Sequence, residues 1–119
     1  MVVDDDEDFT NLYKTSLRMS GFDATAVNQS TAAIEMAYLI HPDIFVIDLM
    51  MPELDGFQLC RLLRADPLFR RTPIIIVTAL TDEDSQLVAI GAGANAYLAK
   101  PFHIDELKSR INTLLEAAK

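Results

Sequence analysis

The sequence predicts an α/β fold, a doubly wound sandwich in which helices cover both faces of a five-stranded parallel sheet. Apolar runs alternate with helical patterns about five times over the 119 residues, and the loops between them are short. The longest runs lack alternating polar residues, which indicates strands that are buried on both faces. A (βα)5 chain of this length is expected to have the strand order 2-1-3-4-5.

The first two strand–helix units occupy the first third of the chain. Residues 1–3 are apolar and form the first strand, and the apolar residues of the next helix recur at helical spacing until Gly21. Residues 22–27 are predicted to form a short second strand. Ser30 is expected to cap the second helix, which the His-Pro-Asp sequence at 41–43 ends.

The middle of the chain carries the most strongly apolar runs. Residues 44–48 are predicted to form the third strand, followed by a loop and by a helix that begins after Gly56 and ends near Asp66. Residues 74–78 form the fourth strand, because this run is the richest in β-branched residues.

The last third of the chain completes the alternation. Residues 81–84, Thr-Asp-Glu-Asp, have the spacing of a capping box and open a fourth helix that ends at Gly91. Residues 95–99 form the fifth strand. The last helix has an inner apolar stripe, which consists of Ile104, Leu107, Ile111 and Leu114.

The composition excludes several classes of function. A formal net charge of −8 argues against direct binding to nucleic acid or to an anionic membrane, because both need a basic face. No apolar stretch is long enough to span a membrane, and no signal peptide opens the chain. The single cysteine, Cys60, cannot form an internal disulfide and suits a cytoplasmic protein.

Polar and charged residues stand at the ends of four apolar runs. Acids follow the first strand and end the third, a threonine ends the fourth, and a lysine follows the fifth: Asp4, Asp5, Asp48, Thr78 and Lys100. Because the carboxyl ends of parallel strands share one edge, these side chains are expected to form one site. Carboxylates about 5 Å apart repel by roughly 3 kcal/mol per pair at an effective dielectric constant of about 20. Such a cluster needs a counter-ion, and its hard oxygen ligands favour Mg²⁺ or Mn²⁺.

Two interpretations of the acids are open. Residues 4–8 alone are equally well a solvated acidic turn that caps the first helix. Asp48 does not fit that interpretation, because four apolar residues precede it and three follow it. We therefore interpret Asp48 as a functional residue and Asp6 as part of the helix start.

Four blocks, in order and at matching spacing, resemble the receiver domain of two-component response regulators over essentially the whole chain. The most specific block is Asp-x-x-Met-Pro-x-x-Asp-Gly at 48–56. The others are residues 2–5, residues 77–79, and the pair 91–92 with 97–102. The resemblance implies a flavodoxin-like receiver fold and one receiver domain over residues 1–119, with no output domain expected within this chain.

The resemblance implies a role for each acid. Asp48 is the expected phosphoacceptor, which takes a phosphoryl group from a histidine kinase. Asp5 is expected to bind Mg²⁺ directly and Asp4 to bind it mainly through water. Asp48 and the backbone carbonyl of Met50 are the expected further ligands, and Mn²⁺ is the alternative metal.

The resemblance also implies a switch. Thr78 is expected to bond the phosphoryl group beside the backbone amide of Ala79, and Lys100 is expected to pair with Asp48 or its phosphate. The bond before Pro101 is usually cis in this family. Tyr97 matches the switch aromatic, whose ring turns inward as Thr78 moves, so the surface of the fourth helix, fifth strand and fifth helix changes. An ordinary strand aromatic is the alternative interpretation of Tyr97.

The expected partners follow from the same resemblance. They are a histidine kinase or phosphotransfer protein upstream and an output domain or protein downstream, in phosphorelay signal transduction. A cytoplasmic monomer or a phosphorylation-dependent dimer is expected, without nucleic acid or membrane contact. The domain is not expected to be an enzyme beyond catalysing its own phosphorylation and dephosphorylation. Met50 and Leu80 border the expected path of the attacking water, and because both are apolar, dephosphorylation should be slow.

Other functions on the same fold compete with this one. A pseudo-receiver never carries phosphate and usually lacks an acid, the threonine or the lysine, all of which are present here. A flavodoxin needs a phosphate-cradling loop rich in Ser, Thr and Gly after the first strand, where this chain has acids. An aspartyl-phosphate phosphatase needs a second acid two residues beyond the nucleophile, where this chain has Met50.

Overall fold

Strands and helices alternate along the whole described chain. The computed structural model describes residues 1–79 and 83–118. The strands within these residues are Val2–Val3 (β1), Ala26–Val27 (β2), Phe45–Asp48 (β3), Ile74–Thr78 (β4) and Ala96–Ala99 (β5). The helices are Glu7–Met19 (α1), Ala33–Ile40 (α2), Gly56–Ala65 (α3), Glu83–Gly91 (α4) and Ile104–Ala117 (α5).

The strands form one parallel sheet in the order β2-β1-β3-β4-β5, as the sequence predicts. The register pairs Val3 with Ile47 between β1 and β3. It also pairs Thr78 with Ala99 between β4 and β5. The residues that follow these pairs therefore lie beside one another at the carboxyl edge of the sheet.

Two apolar layers cover the sheet, one on each face. Alternate strand residues face opposite layers, so Val46 packs with α1 and α5 whereas Ile47 packs with α2, α3 and α4. This double burial explains why the strands are continuously apolar. The inner residues of α1 are Thr10, Tyr13 and Leu17.

Local signals define several helix ends. The Asp6 side chain caps α1 by accepting a hydrogen bond from the Phe9 amide at 3.2 Å. Asp55 and Gln58 form a capping box at the start of α3. The chain turns through left-handed backbone after α1 and α2, at Gly21 (φ 93°) and His41 (φ 54°).

The structure corrects two local predictions. The second strand is only Ala26–Val27, shorter than the predicted run 22–27. Ser30 does not cap α2 but begins a 3-10 turn before it. Its hydroxyl donates to the Pro52 carbonyl (3.0 Å) and accepts from the Leu54 amide (3.2 Å), so it supports the loop after β3 instead.

The C-terminal part of the chain completes the second layer. Leu107 and Ile111 of the predicted stripe are buried, and Ile104 and Leu114 pack at its margin. The predicted capping box at 81–84 includes residues 81 and 82, which lie outside the described residues, as does residue 80. In the part of the chain that the structure describes, no helix has the length and apolarity needed to cross a membrane.

Candidate functional site

The predicted acids meet at the carboxyl edge of the sheet. Asp48 is the last residue of β3, and Asp4 follows β1 directly, so the β1–β3 register places them side by side. One carboxylate oxygen from each of Asp4, Asp5 and Asp48 can be chosen so that all three lie within 4.8 Å of one another. The structure therefore brings together the three carboxylates that the sequence predicts.

The three carboxylates differ in their exposure. Asp4 and Asp48 are buried, with 2% and 7% of their surfaces exposed, whereas Asp5 is exposed. The Asp4 carboxylate also accepts a hydrogen bond from the Asp6 amide at 3.0 Å. The site thus has a fixed inner wall and a side that is open to solvent.

Lys100 lies between the two buried acids. Its Nζ atom is 3.1 Å from Asp4 Oδ2 and 3.2 Å from Asp48 Oδ1. Its backbone amide donates to the Thr78 carbonyl at 2.7 Å, which anchors the residue at the end of β4. The peptide bond between Lys100 and Pro101 is cis, as the resemblance implies.

The charges of this cluster do not balance. Burial, followed by the Asp4 carboxylate, raises the pKa of Asp48 to about 6. Burial likewise raises the pKa of Asp4. Burial by itself lowers the pKa of Lys100, but the carboxylates of Asp48 and Asp4 outweigh it, so its pKa is raised. Three carboxylates and one ammonium leave two negative charges uncompensated, which favours a divalent cation.

The donor chemistry fits such a cation. Carboxylate oxygens are hard ligands, and a site with one exposed acid leaves room for water ligands. Met50 lies in the loop directly after β3, and its side chain is exposed. Its position next to the acids is compatible with the predicted role of its backbone carbonyl. The acidic cluster can therefore bind a metal ion.

The predicted switch residues lie on the two neighbouring strands. Thr78 is fully buried at the end of β4, next to the strand that carries Asp48. Tyr97 pairs with Ile76 in β5 and is half-buried against the layer of α2, α3 and α4. Thr78 is thus at the edge of the site, whereas Tyr97 lies within β5 and is not part of the acidic cluster.

Gly56 allows the first turn of α3 to pack against the backbone of Asp48. A Cβ atom at this position would lie 2.7 Å from the Asp48 carbonyl oxygen and 2.8 Å from the Leu49 Cα atom. The Asp-Gly pair of the sequence block therefore needs a glycine at this position for a steric reason. It fixes the path of the loop that contains Met50.

The sequence prediction missed three residues that support the site. Asn28 donates to the Asp4 carbonyl at 2.9 Å and to Thr10 Oγ1 at 2.7 Å, which holds the backbone of Asp4. The Phe9 ring lies against the Lys100 ammonium. Phe9 and Thr10 share the helical spacing of Tyr13, which predicts packing against the core but no role at the site, and Asn28 carries no local signal.

A comparison with protein families identifies the family to which this chain belongs. Residues 1–112 match the family of the response regulator receiver domain. The chain belongs to this family. The receiver domain thus serves phosphorelay signalling in two-component systems.

The similar proteins include a response regulator and a transcriptional regulator. The receiver domain is 38% identical over 121 residues to response regulator MprA of Mycobacterium leprae, covering 100% of this chain and 51% of MprA. It is 32% identical to the DNA-binding dual master transcriptional regulator RpaA of Synechocystis sp., covering 97% of this chain and 48% of RpaA. The chain spans about half the length of these curated relatives.

Solved structures agree on the fold. The receiver domain of Francisella response regulator 1452 superposes with a TM-score of 0.92 at 36% identity, covering 99% of this chain and 96% of that one. The signal receiver domain of a histidine kinase from Syntrophus aciditrophicus gives 0.90 at 30% identity, covering 99% and 89%. Receiver domains of this shape therefore occur in response regulators and in a kinase.

Proposed function

We propose that Asp48 is the phosphoacceptor of this receiver domain. The observation that carries the proposal is the position of its carboxylate, which lies at the end of β3 among Asp4, Asp5 and Lys100. A nucleophile at this place has an ammonium within 3.2 Å and two further acids to hold a metal. Together with a bound metal, Lys100 would neutralise the negative charge of the incoming phosphoryl group.

The reaction is a transfer of one phosphoryl group. An Asp48 carboxylate oxygen attacks the phosphorus of a phosphohistidine, a P–O bond forms and the P–N bond breaks. The leaving nitrogen keeps the electron pair of that bond and takes its proton from solvent. The product is an acyl phosphate on Asp48. The domain thereby acts as a substrate that promotes its own phosphorylation and dephosphorylation, and it is not an enzyme with a separate substrate.

The neighbouring side chains stabilise the added charge. Lys100 pairs with a phosphoryl oxygen, Thr78 donates its hydroxyl to another, and the Ala79 amide lies beside it. Phosphorylation adds about one negative charge to Asp48 at neutral pH. These donors therefore make their strongest contacts only after transfer.

Mg²⁺ is the proposed metal, with Mn²⁺ as the alternative. Asp4, Asp5, Asp48 and the Met50 carbonyl would hold it, since all four offer hard oxygen donors. When bound, the metal neutralises charge on the transferring oxygens. The uncompensated negative charge of the cluster supports this assignment.

The proposed output is a change of the surface formed by α4, β5 and α5. Phosphate draws Thr78 toward Asp48, and the Tyr97 ring turns into the space that Thr78 leaves. The α4 part of this surface exposes three apolar residues: Leu87, Val88 and Ile90. A surface of this kind can bind a downstream protein or a second copy of the domain, which makes the domain a monomer or a phosphorylation-dependent dimer.

The proposed partners follow from this mechanism. A histidine kinase or phosphotransfer protein supplies the phosphoryl group, and an output domain or protein reads the changed surface. The net charge of −8 supports the absence of direct nucleic-acid contact by this domain, although relatives such as RpaA are DNA-binding proteins. A cytoplasmic location is part of the proposal and is supported by the single unpaired cysteine, Cys60.

The proposal is tested by incubating the protein with Mg²⁺ and acetyl phosphate and measuring the intact mass. The wild type should gain the mass of one phosphoryl group, and Asp48→Asn should gain none. Asp55→Asn is the matched control, because Asp55 is an acid of the same loop and Asn retains its capping role. No adduct on the wild type, or an equal adduct on Asp48→Asn, would favour a pseudo-receiver that binds partners without phosphate.

A further inference from the structure

The Lys100 ammonium has a third neighbour besides its two carboxylates. Its Nζ atom lies 3.8 Å from the centroid of the Phe9 ring. This distance is well inside the range of about 6 Å at which an aromatic face attracts a cation. Phe9 is in the first turn of α1 and is half-buried, and its ring covers one side of the ammonium.

Two further rings hold Phe9 in place. Its centroid is 4.0 Å from that of Tyr13, and Tyr13 stacks on Phe102 at 5.3 Å with an interplanar angle of 26°. Phe102 meets Phe9 edge-on at 6.5 Å. The rings of α1 therefore contact both residues that flank Pro101, and the three-ring group links α1 to the segment after β5.

We propose that Phe9 is a positioning residue for Lys100 during phosphoryl transfer, an inference that rests on the proposed function. The ring attracts the ammonium through its quadrupole but carries no charge of its own. A carboxylate partner neutralises the lysine, whereas the ring leaves its charge available to a phosphoryl oxygen. Phe9 thus holds the ammonium at the site without competing with the incoming phosphate.

The need for such a contact follows from the side chain of lysine. Its ammonium is a compact, strongly hydrated charge on a flexible stem of four carbons. Asp48 and Asp4 hold it only until the phosphoryl group and the metal redistribute their charge. The ring contact does not depend on that charge, so it can keep Nζ in place throughout the transfer.

The experiment compares three variants by two measurements. Phe9→Leu removes the ring but keeps most of the apolar volume, and Phe9→Tyr keeps the ring. Phe22→Leu is the matched control, because Phe22 is also half-buried against the same apolar layer but lies at the amino end of the sheet. The first measurement is the rate constant for phosphorylation by acetyl phosphate with Mg²⁺. The second is the ring-current shift of the Lys100 ε-methylene protons without phosphodonor.

We expect Phe9→Leu to lower the rate constant about 3- to 10-fold, with Phe9→Tyr and Phe22→Leu within about twofold of wild type. The upfield shift of the ε-methylene protons should disappear in Phe9→Leu only. A wild-type rate in Phe9→Leu, an equal loss in Phe9→Tyr or Phe22→Leu, or an unshifted Lys100 in the wild type would overturn the inference. A wild type that takes up no phosphoryl group would instead overturn the proposed function.

Discussion

Lys100 and Arg64 are half-buried cations at opposite edges of the same sheet, and their neighbours differ in kind. Lys100, at the carboxyl edge, faces the carboxylates of Asp4 and Asp48 and the ring of Phe9. Arg64 extends from α3 to the amino ends of β4 and β5, where it donates only to neutral oxygens. In the described ranges, 1–79 and 83–118, no carboxylate forms an ion pair with it.

The acceptors of Arg64 belong to the loops that lead into β4 and β5. Asn95 Oδ1 also accepts from the Ile74 amide at 2.9 Å, so the same side chain links both loops. The acceptors and distances are Gly93 O (2.8 Å), Phe69 O (3.0 Å), Thr72 O (2.7 Å) and Asn95 Oδ1 (2.7 Å). Arg64 is thus satisfied by fixed neutral groups, which suits a structural role.

The contrast gives a criterion for interpreting half-buried charges. Around Arg64 all three guanidinium nitrogens donate hydrogen bonds, and the acceptors carry no net charge. Around Lys100 the carboxylates carry more negative charge than the ammonium compensates, which favours the binding of a cation. A charge of the first kind stabilises the fold, and a charge of the second kind marks a binding site.

The largest effect is expected when the hydrogen bonds of Arg64 are removed. Arg64→Leu should lower the free energy of unfolding by about 3 kcal/mol, because several carbonyls of the two loops lose their donors. Urea unfolding measures this loss. The folded fraction should still take up a phosphoryl group at the wild-type rate.

Arg61→Leu is the matched control for that variant, since Arg61 is an exposed arginine of the same helix. Its unfolding free energy should stay within about 0.5 kcal/mol of wild type. Equal losses in both variants, or a slower phosphorylation in Arg64→Leu, would remove the distinction between the two edges.

Two glycines sharpen the comparison, because Gly93 lies against Arg64 and Gly56 lies against the backbone of Asp48 at the acidic site. In Gly93→Ala the new Cβ would lie 2.6 Å from Arg64 Cγ, at a backbone φ of +103°. In Gly56→Ala it would meet the Asp48 backbone. Each substitution should lower the free energy of unfolding, measured in urea, by about 2 kcal/mol. Only Gly56→Ala should also slow phosphorylation. Gly91→Ala, with no atom within 4 Å, is the control, and a loss as large there would refute the steric argument.

The pH dependence of stability isolates Asp48. A folded-state pKa raised from 3.8 to about 6 means that the folded protein binds this proton more tightly than the unfolded chain. The contribution of protonated Asp48 to stability is therefore fully present below pH 3.8 and is lost as pH rises through about 6. Between about pH 4 and pH 7, without divalent cations, the unfolding free energy of wild type relative to Asp48→Asn should fall by about 2 kcal/mol. A constant difference in urea unfolding would contradict this.

The smallest expected effect is stabilisation by Mg²⁺. At about ten times its dissociation constant, Mg²⁺ should raise the free energy of unfolding by about 1.4 kcal/mol. Asp5→Asn, which changes only an exposed ligand, should need more Mg²⁺ for the same gain in thermal unfolding. Arg64→Lys should respond like wild type. A gain that sodium chloride reproduces at equal ionic strength would exclude a specific site.

The elements that the sequence predicted well have strong local signals. β4 occupies the predicted residues 74–78, because five consecutive apolar or β-branched residues favour a strand that is buried on both faces. The second strand was predicted too long, since only Ala26 and Val27 pair with β1. The prediction for Ser30 was wrong, because its hydroxyl donates to Pro52 in the loop after β3, 22 residues further along the chain. Local patterns cannot report partners at that distance.

The sequence by itself determined the alternation of strands and helices and the residue types of the acidic edge. Strand burial and helix spacing are properties of neighbouring residues, and the order of parallel strands then brings Asp4, Asp48 and Lys100 to one edge. Only the tertiary structure decided that Phe9 contacts Lys100 and that Arg64 has neutral partners. Phe9 and Lys100 are distant in sequence, as are Arg64 and Gly93, and their contacts depend on how α1 and α3 pack on the sheet.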